Sequence, residues 1–259
     1  MPTDPPRLLV LAGTAEGRET LEALAPLVAA GRLQAIASLA GATRSPRTLP
    51  VETRVGGFGG AEGLARFLQA ERIDALLDAT HPFAARISAN AAAASAAARV
   101  PRAQLRRPGW TGPARRFPDL AAALAAAPAG AVMLAATGRG SAPLLAVRPD
   151  LTILLRVAEP GPEIPGVETL VARPPHRAEA DRALMLDRRI THLLARDSGG
   201  AEVVKLEVAR ALGIEILLAE QPPAQPGPVL ADALEALAWA HATLGLPRQP
   251  SPRSRPGPP

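Results

Sequence analysis

Four short loops hold the residues of this chain that are able to do chemistry, and the first opens it. Ala12-Gly13-Thr14-Ala15-Glu16-Gly17 follows the apolar run Leu8-Leu9-Val10-Leu11. A buried strand that feeds a helix through a glycine turn presents backbone N–H groups at the positive end of a helix dipole, which suits a phosphate. Thr14 can cap that helix and also offer its hydroxyl to a phosphate. Glu16, in the first turn, would repel phosphate and better faces a ribose hydroxyl or a neighbouring N–H. The glycines are sparser than in Gly-x-Gly-x-x-Gly, so an ordinary strand-to-helix turn is the competing reading.

The second loop, Ser38-Leu39-Ala40-Gly41-Ala42-Thr43-Arg44, follows a second apolar run. A doubly wound domain meets the adenosine ribose there, and an acid would accept from its 2′-hydroxyl. No acid is present; Ser38, Thr43 and Arg44 instead suit a 2′-phosphate and favour NADPH over NADH, unless Arg44 is merely a solvated loop residue. The third loop, Val55-Gly56-Gly57-Phe58-Gly59-Gly60, sets four glycines around one aromatic and allows close backbone approach, or serves as a hinge. The fourth, Asp78-Ala79-Thr80-His81-Pro82-Phe83-Ala84, brings Thr80 and His81 to a strand end. His81 could orient a nicotinamide or relay a proton, or simply cap the following helix.

Composition removes several alternatives. There is no cysteine, which excludes disulfides, thiolate catalysis and Cys-ligated metal. There is no tyrosine for a Tyr-x-x-x-Lys pair, and Lys205 is the only lysine, so no P-loop Gly-Lys-Ser/Thr exists. His81, His176, His192 and His241 do not pair at metal-ligand spacing, and no metal is expected. Net charge is +5, but the arginines are scattered and aromatics are only 2%, which argues against nucleic acid. No apolar stretch suits a signal peptide or a bilayer span, so a cytoplasmic protein is expected. The oligomeric state is left open, a monomer being compatible with it.

The elements that must position these loops alternate. Strand-like runs at 7–13, 33–39, 73–80 and 101–105 interleave with helical ones at 15–30, 61–71 and 82–99, the last with Pro82 at its start. Residues 106–118 break the pattern with Pro108, Gly109, Trp110, Gly112, Pro113 and Pro118. Strands at 132–137, 152–157, 192–196 and 215–219 then alternate with helices at 120–127, 176–187, 201–212 and 231–244. This predicts an α/β fold of two lobes with parallel sheets flanked by helices and a ligand cleft between them. The expected division is an NADPH-binding domain over 1–112, a substrate domain over 113–246, and a disordered proline- and arginine-rich tail over 247–259.

Taken in order, Leu11-Ala-Gly-Thr-Ala-Glu16, Ser38-Leu-Ala-Gly41, Arg54-Val-Gly-Gly-Phe-Gly-Gly-Ala-Glu62, Asp78-Ala-Thr-His-Pro-Phe-Ala84 with Ile87-Ser-Ala-Asn90, Asp197-Ser-Gly-Gly200, Lys205 and Ala209-Arg-Ala-Leu-Gly-Ile214 resemble the precorrin-6A reductase family over residues 7 to 223. The resemblance implies two Rossmann-like lobes and NADPH-dependent reduction of the precorrin-6A macrocycle to precorrin-6B in cobalamin biosynthesis. By motif, Gly13, Thr14, Ser38, Gly41, Arg44, Gly57, Phe58 and Gly59 would hold the cofactor, with Thr80 and His81 near its nicotinamide. Precorrin-6A is a polycarboxylate, and Arg106, Arg107, Arg196, Lys205 and the N–H groups of Ser198-Gly199-Gly200 are candidates to bind it. Departures from the family pattern are Ala12-Gly13 for a glycine pair, Arg196 for a lysine, and Pro174-Pro175-His176. A non-catalytic NADP-binding regulator and a nucleotide-sugar transferase remain as alternatives on the same scaffold.

Overall fold

The computed structural model describes residues 4–39, 48–173, 176–200 and 203–247. In chain order come β1 (Arg7–Ala12), α1 (Ala15–Ala29), β2 (Gln34–Leu39), β3 (Glu52–Val55), α2 (Gly60–Ala70), β4 (Ala75–Ala79), α3 (Ala85–Ala98) and β5 (Arg102–Leu105). A second series follows: β6 (Arg115–Phe117), α4 (Leu120–Ala125), β7 (Val132–Ala136), α5 (Ala142–Leu145), β8 (Thr152–Val157), β9 (Val167–Val171), α6 (Ala178–Asp187), β10 (His192–Arg196), α7 (Val203–Ala211) and β11 (Glu215–Ala219). The chain ends with β12 (Val229–Leu230) and α8 (Ala233–Thr243).

These elements form two compact units, Met1–Arg106 with Ala224–Pro259, and Arg107–Pro223. Each holds one six-stranded sheet, in the orders β12-β5-β4-β1-β2-β3 and β6-β11-β10-β7-β8-β9. Every strand pairing is parallel. In the first sheet the chain winds outward from β1 through β2 to β3, then returns to β4 on the other side of β1. That reversal makes the carboxyl ends of β1 and β4 a topological switch point, where open parallel sheets bind ligands.

Side-chain alternation along β1 explains the layering. Leu8 and Val10 face Leu21 and Leu24 of α1 and Ala236 and Ala240 of α8, while Leu9 and Leu11 face Leu64 and Leu68 of α2 and Ala91 of α3. Alanines on α3 and α8 allow these helices to lie close to the sheet.

Two expectations are corrected. Residues 224–246 do not belong with the second lobe: Val229 and Leu230 pair with Gln104 and Leu105, and α8 closes the first core, where the edge strand β5 would otherwise expose its apolar face. Pro82 does not start α3. It is the second residue of a turn closed by the Ala84 N–H on the His81 carbonyl at 2.7 Å, and the helix begins at Ala85; proline's fixed φ suits that turn position. The strands β3, β6, β9 and β12 were not anticipated. The expected tail lies, from residue 248 onward, outside the described residues.

Candidate active site

The first helix is locked to the sheet by one hydroxyl. Thr14 is the N-cap of α1; its Oγ1 accepts from the Gly17 N–H at 3.2 Å and donates to the Ala79 carbonyl at 3.1 Å. Its one proton is therefore committed to β4, and the expected donation to a phosphate is corrected on that ground. Gly17 faces the same strand: a Cβ there would stand 2.7 Å from the Ala79 Cβ. Its role is close helix–strand packing, the task of the third glycine in dinucleotide folds. Gly17→Ala is expected to lose about 1–2 kcal/mol, overpacking outweighing the gain in helix propensity, read as a lower urea midpoint at unchanged slope.

The glycine loop is organised by Arg54, which the β2–β3 register sets beside Ser38. Its guanidinium donates to the carbonyls of Gly56 and Gly57 at 3.0 and 3.2 Å and to Ser38 Oγ at 3.4 Å. It also stacks 4.0 Å from the centroid of Phe58, whose ring meets Phe67 edge-on at 5.1 Å. Gly56, Gly59 and Gly60 have positive φ of 113°, 78° and 92°, with nothing within 4 Å of where a Cβ would stand. They form an open rim that only glycine builds without strain.

At the end of β4, Asp78 is fully buried and its Oδ1 accepts from both the N–H and the hydroxyl of Thr80, at 3.2 and 2.7 Å. His81 Nδ1 accepts the Phe83 N–H at 3.2 Å, which leaves Nε2 to carry the proton of the neutral ring. These loops converge on a cavity of about 760 Å³ at the carboxyl edge of the first sheet. Of the expected cofactor residues, Gly13, Ser38, Gly57, Phe58, Gly59, Thr80 and His81 line this cavity; Thr14 and Glu16 do not, and Gly41, Thr43 and Arg44 lie outside the described residues. Arg86, Ile87 and Asn90 complete the wall from the first turns of α3. Asn90 lies one helical turn on from both Arg86 and Ile87, at i+4 and i+3, which makes it the surface neighbour of each.

Arg106, half-buried, follows β5 in the first unit and its N–H donates to the Leu230 carbonyl at 2.7 Å. Arg107, Arg196, Ser198, Gly199, Gly200 and Lys205 belong to the second unit. Burial lowers the guanidinium pKa of Arg106 and Arg196 below the ordinary arginine value. The turn after β10 carries glycines because both have left-handed backbone, with φ of 63° and 61°, and a Cβ on Gly199 would also lie 2.3 Å from the Pro108 carbonyl oxygen. Asp197 holds the same crossing, accepting from the Trp110 N–H at 2.8 Å and from Arg116 Nη1 at 3.0 Å. Lys205 is 3% exposed on α7, a buried cation rather than a surface one. Among the described residues no acidic, histidine or cysteine cluster could hold a metal, and no helix is long and apolar enough to cross a membrane.

The family model described as precorrin-6x reductase CbiJ/CobK matches residues 7–241. The chain belongs to that family. Curated relatives named precorrin-6A reductase agree: the Rhodococcus erythropolis protein is 40% identical over 244 residues, covering 90% of this chain and 96% of its own. The Rhodobacter capsulatus protein is 38% identical over 251 residues, covering 93% and 98%. A solved structure titled CobK precorrin-6A reductase superposes with a TM-score of 0.83 at 36% identity, over 92% of this chain and 97% of that one. As a precorrin-6x reductase the chain is an oxidoreductase, and the cavity at its switch point stands where a nucleotide cofactor belongs in such a sheet.

Proposed function

We propose that this protein reduces precorrin-6A to precorrin-6B in cobalamin biosynthesis, with NADPH as reductant. The observation that carries the reading is the cavity at the β1/β4 switch point, lined by an open glycine rim and by Ser38, to whose hydroxyl Arg54 donates. Those residues fit a dinucleotide: small backbone-lined walls for the diphosphate, and a cation with a hydroxyl where the ribose phosphate would lie. Gly13, Gly57, Phe58 and Gly59 would hold the cofactor, with Ser38, Gly41, Thr43 and Arg44 at its ribose end and Thr80 and His81 at the other. When bound, the nicotinamide supplies a hydride for one ring carbon of the macrocycle.

The chain's own part is positioning and proton supply. The hydroxyl of Thr14 and the packing of Gly17 fix α1 against β4, so that Gly13 and Thr80 keep one spacing. Arg54 occupies the carbonyls of Gly56 and Gly57, which if turned toward a bound diphosphate would repel it. The proton for the carbon next to the one that receives hydride would come from His81 or from water entering the cavity. Arg106, Arg107 and Arg196, with the N–H groups of Ser198, Gly199 and Gly200, would be the candidates for substrate carboxylates; Lys205, buried on α7, would not be among them.

The test is anaerobic incubation with precorrin-6A and either dinucleotide. Loss of nicotinamide absorbance together with a shift of the tetrapyrrole bands, faster with NADPH than NADH, supports the reading; no NADPH oxidation overturns it. Arg44→Glu and Arg54→Met should each weaken NADPH about 10- to 100-fold, a charge-assisted hydrogen bond being worth about 1.5–3 kcal/mol. For Arg44→Glu, NADH affinity should change far less, whereas Arg54→Met also releases the glycine loop and should weaken both dinucleotides; an unchanged NADPH dissociation constant removes that residue from the cofactor site.

A further inference from the structure

A polar row runs through the otherwise apolar layer between the first sheet and α3. Asp78 on β4, Arg102 and Gln104 on β5, and Ser88 on α3 are all buried, and Thr80 ends the row at the cavity wall. The direction of every hydrogen bond in it can be worked out. Gln104 Oε1 accepts the backbone N–H of Gln225 at 3.2 Å, which fixes the amide, because a backbone N–H can only donate. Gln104 Nε2 then donates to Ser88 Oγ at 3.3 Å. At the other end the Asp78 carboxylate accepts the Thr80 hydroxyl proton at 2.7 Å. The Ser88 proton is left to point at Thr80 Oγ1, 3.2 Å away. The chain of donation runs from amide to serine to threonine to carboxylate.

Thr80 Oγ1 therefore has no proton for the cavity. It has two lone pairs, takes one hydrogen bond from Ser88, and keeps one acceptor position. We infer that Thr80 is a specificity-determining acceptor for the carboxamide amino group of the nicotinamide, with Asp78 as the positioning residue that makes it an acceptor rather than a donor. The inference rests on the nicotinamide reading above. An acceptor at this place takes the NH₂ of the carboxamide and rejects its C=O, so it selects one of the two orientations of that group. A site built to hydrogen-bond one group discriminates strongly against an analogue that lacks it, because the protein's partner is then left unpaired.

The analogue that isolates this contact is 3-acetylpyridine adenine dinucleotide phosphate, which carries a methyl in place of the NH₂. Dissociation constants for NADP and for this analogue, measured by titration calorimetry on the full chain, give the decisive ratio. The wild-type protein should favour NADP by tenfold or more. Thr80→Ser and Asp78→Asn, whose Oδ1 still accepts the Thr80 N–H and hydroxyl, should keep the ratio, whereas Thr80→Val and Asp78→Ala should each bring it below about threefold. A purely structural Thr80 would weaken both ligands together and leave the ratio intact, which overturns the inference. A wild-type ratio near one overturns it without any variant. If the wild type binds neither dinucleotide, the nicotinamide reading fails and takes the inference with it.

Discussion

Asp181→Ala should destabilise the second unit by about 3–5 kcal/mol, a large share of the 5–15 kcal/mol that holds a typical native protein together. Asp181 on α6 pairs through Oδ1 with Nη1 of Arg156 on β8, and both side chains are nearly solvent-free, 4% and 5% exposed. Removing the carboxylate leaves a guanidinium in an apolar layer beside Leu154, Met185 and Leu193. Desolvation of that unpaired charge, more than the lost attraction, is the source of the effect. The two tryptophans allow it to be read where it occurs, since Trp110 is buried in the second unit and Trp239 sits on α8 in the first. In a Trp239→Phe background, urea unfolding followed by Trp110 fluorescence should show the midpoint fall at unchanged slope. The double replacement Arg156→Met with Asp181→Leu should recover most of the loss, because no buried charge remains. A single-variant effect under 1 kcal/mol would mean that water reaches Arg156.

That pair also marks where sequence reading stops. Strand 152–157 was legible from its apolar run, and Arg156 with it, but a run shows only that a residue lies in a strand. Its partner stands 25 residues later on another element, and periodicity reports faces, not partners. The same holds for Asp78, legible as part of a strand-end motif, whose neighbours Arg102, Gln104 and Ser88 become neighbours only through parallel pairing of β4 with β5 and the crossing of α3.

The central strands and the loops at their carboxyl ends were legible because buried parallel strands are continuous apolar runs and their turns need glycine. The edge strands were not. Glu52–Val55 and Arg115–Phe117 are short, charged and largely exposed, which suits an edge that must resist pairing with other chains and erases the apolar signal. The return of β12 and α8 to the first unit was hidden for a different reason. Nothing in Val229–Leu230 or in the alanine face of α8 states which of two similar sheets it will cover; only the uncovered edge at β5 decides it. At the site, the role of Arg54 is invisible in its motif, since its contacts run across strands to Ser38 and forward to the glycine loop.

Gly63→Ala should disable the cavity while sparing most of the fold. A Cβ at this position, in the first turn of α2, would stand 1.7 Å from the Phe58 carbonyl oxygen and 2.8 Å from its carbon. Both are backbone atoms, so no side chain can swing aside, and the peptide must move by more than an ångström. Phe58 cannot yield freely, because its ring is held between the Arg54 guanidinium and Phe67. The displacement therefore falls on Gly57 and Gly59, the neighbours that line the cavity. We expect a stability loss of about 1–3 kcal/mol. Dinucleotide affinity should fall roughly 30- to 150-fold, the equivalent of about 2–3 kcal/mol, with a much smaller change in kcat at saturating cofactor. Gly57→Ala is the matched control: nothing lies within 4 Å of its added methyl, so stability should hold, and any weaker binding would come from the methyl itself in the cavity. Calorimetric titration of both variants separates the cases. Binding within threefold of wild type in Gly63→Ala would show that the approach of α2 to the Phe58 carbonyl is not what shapes the glycine rim.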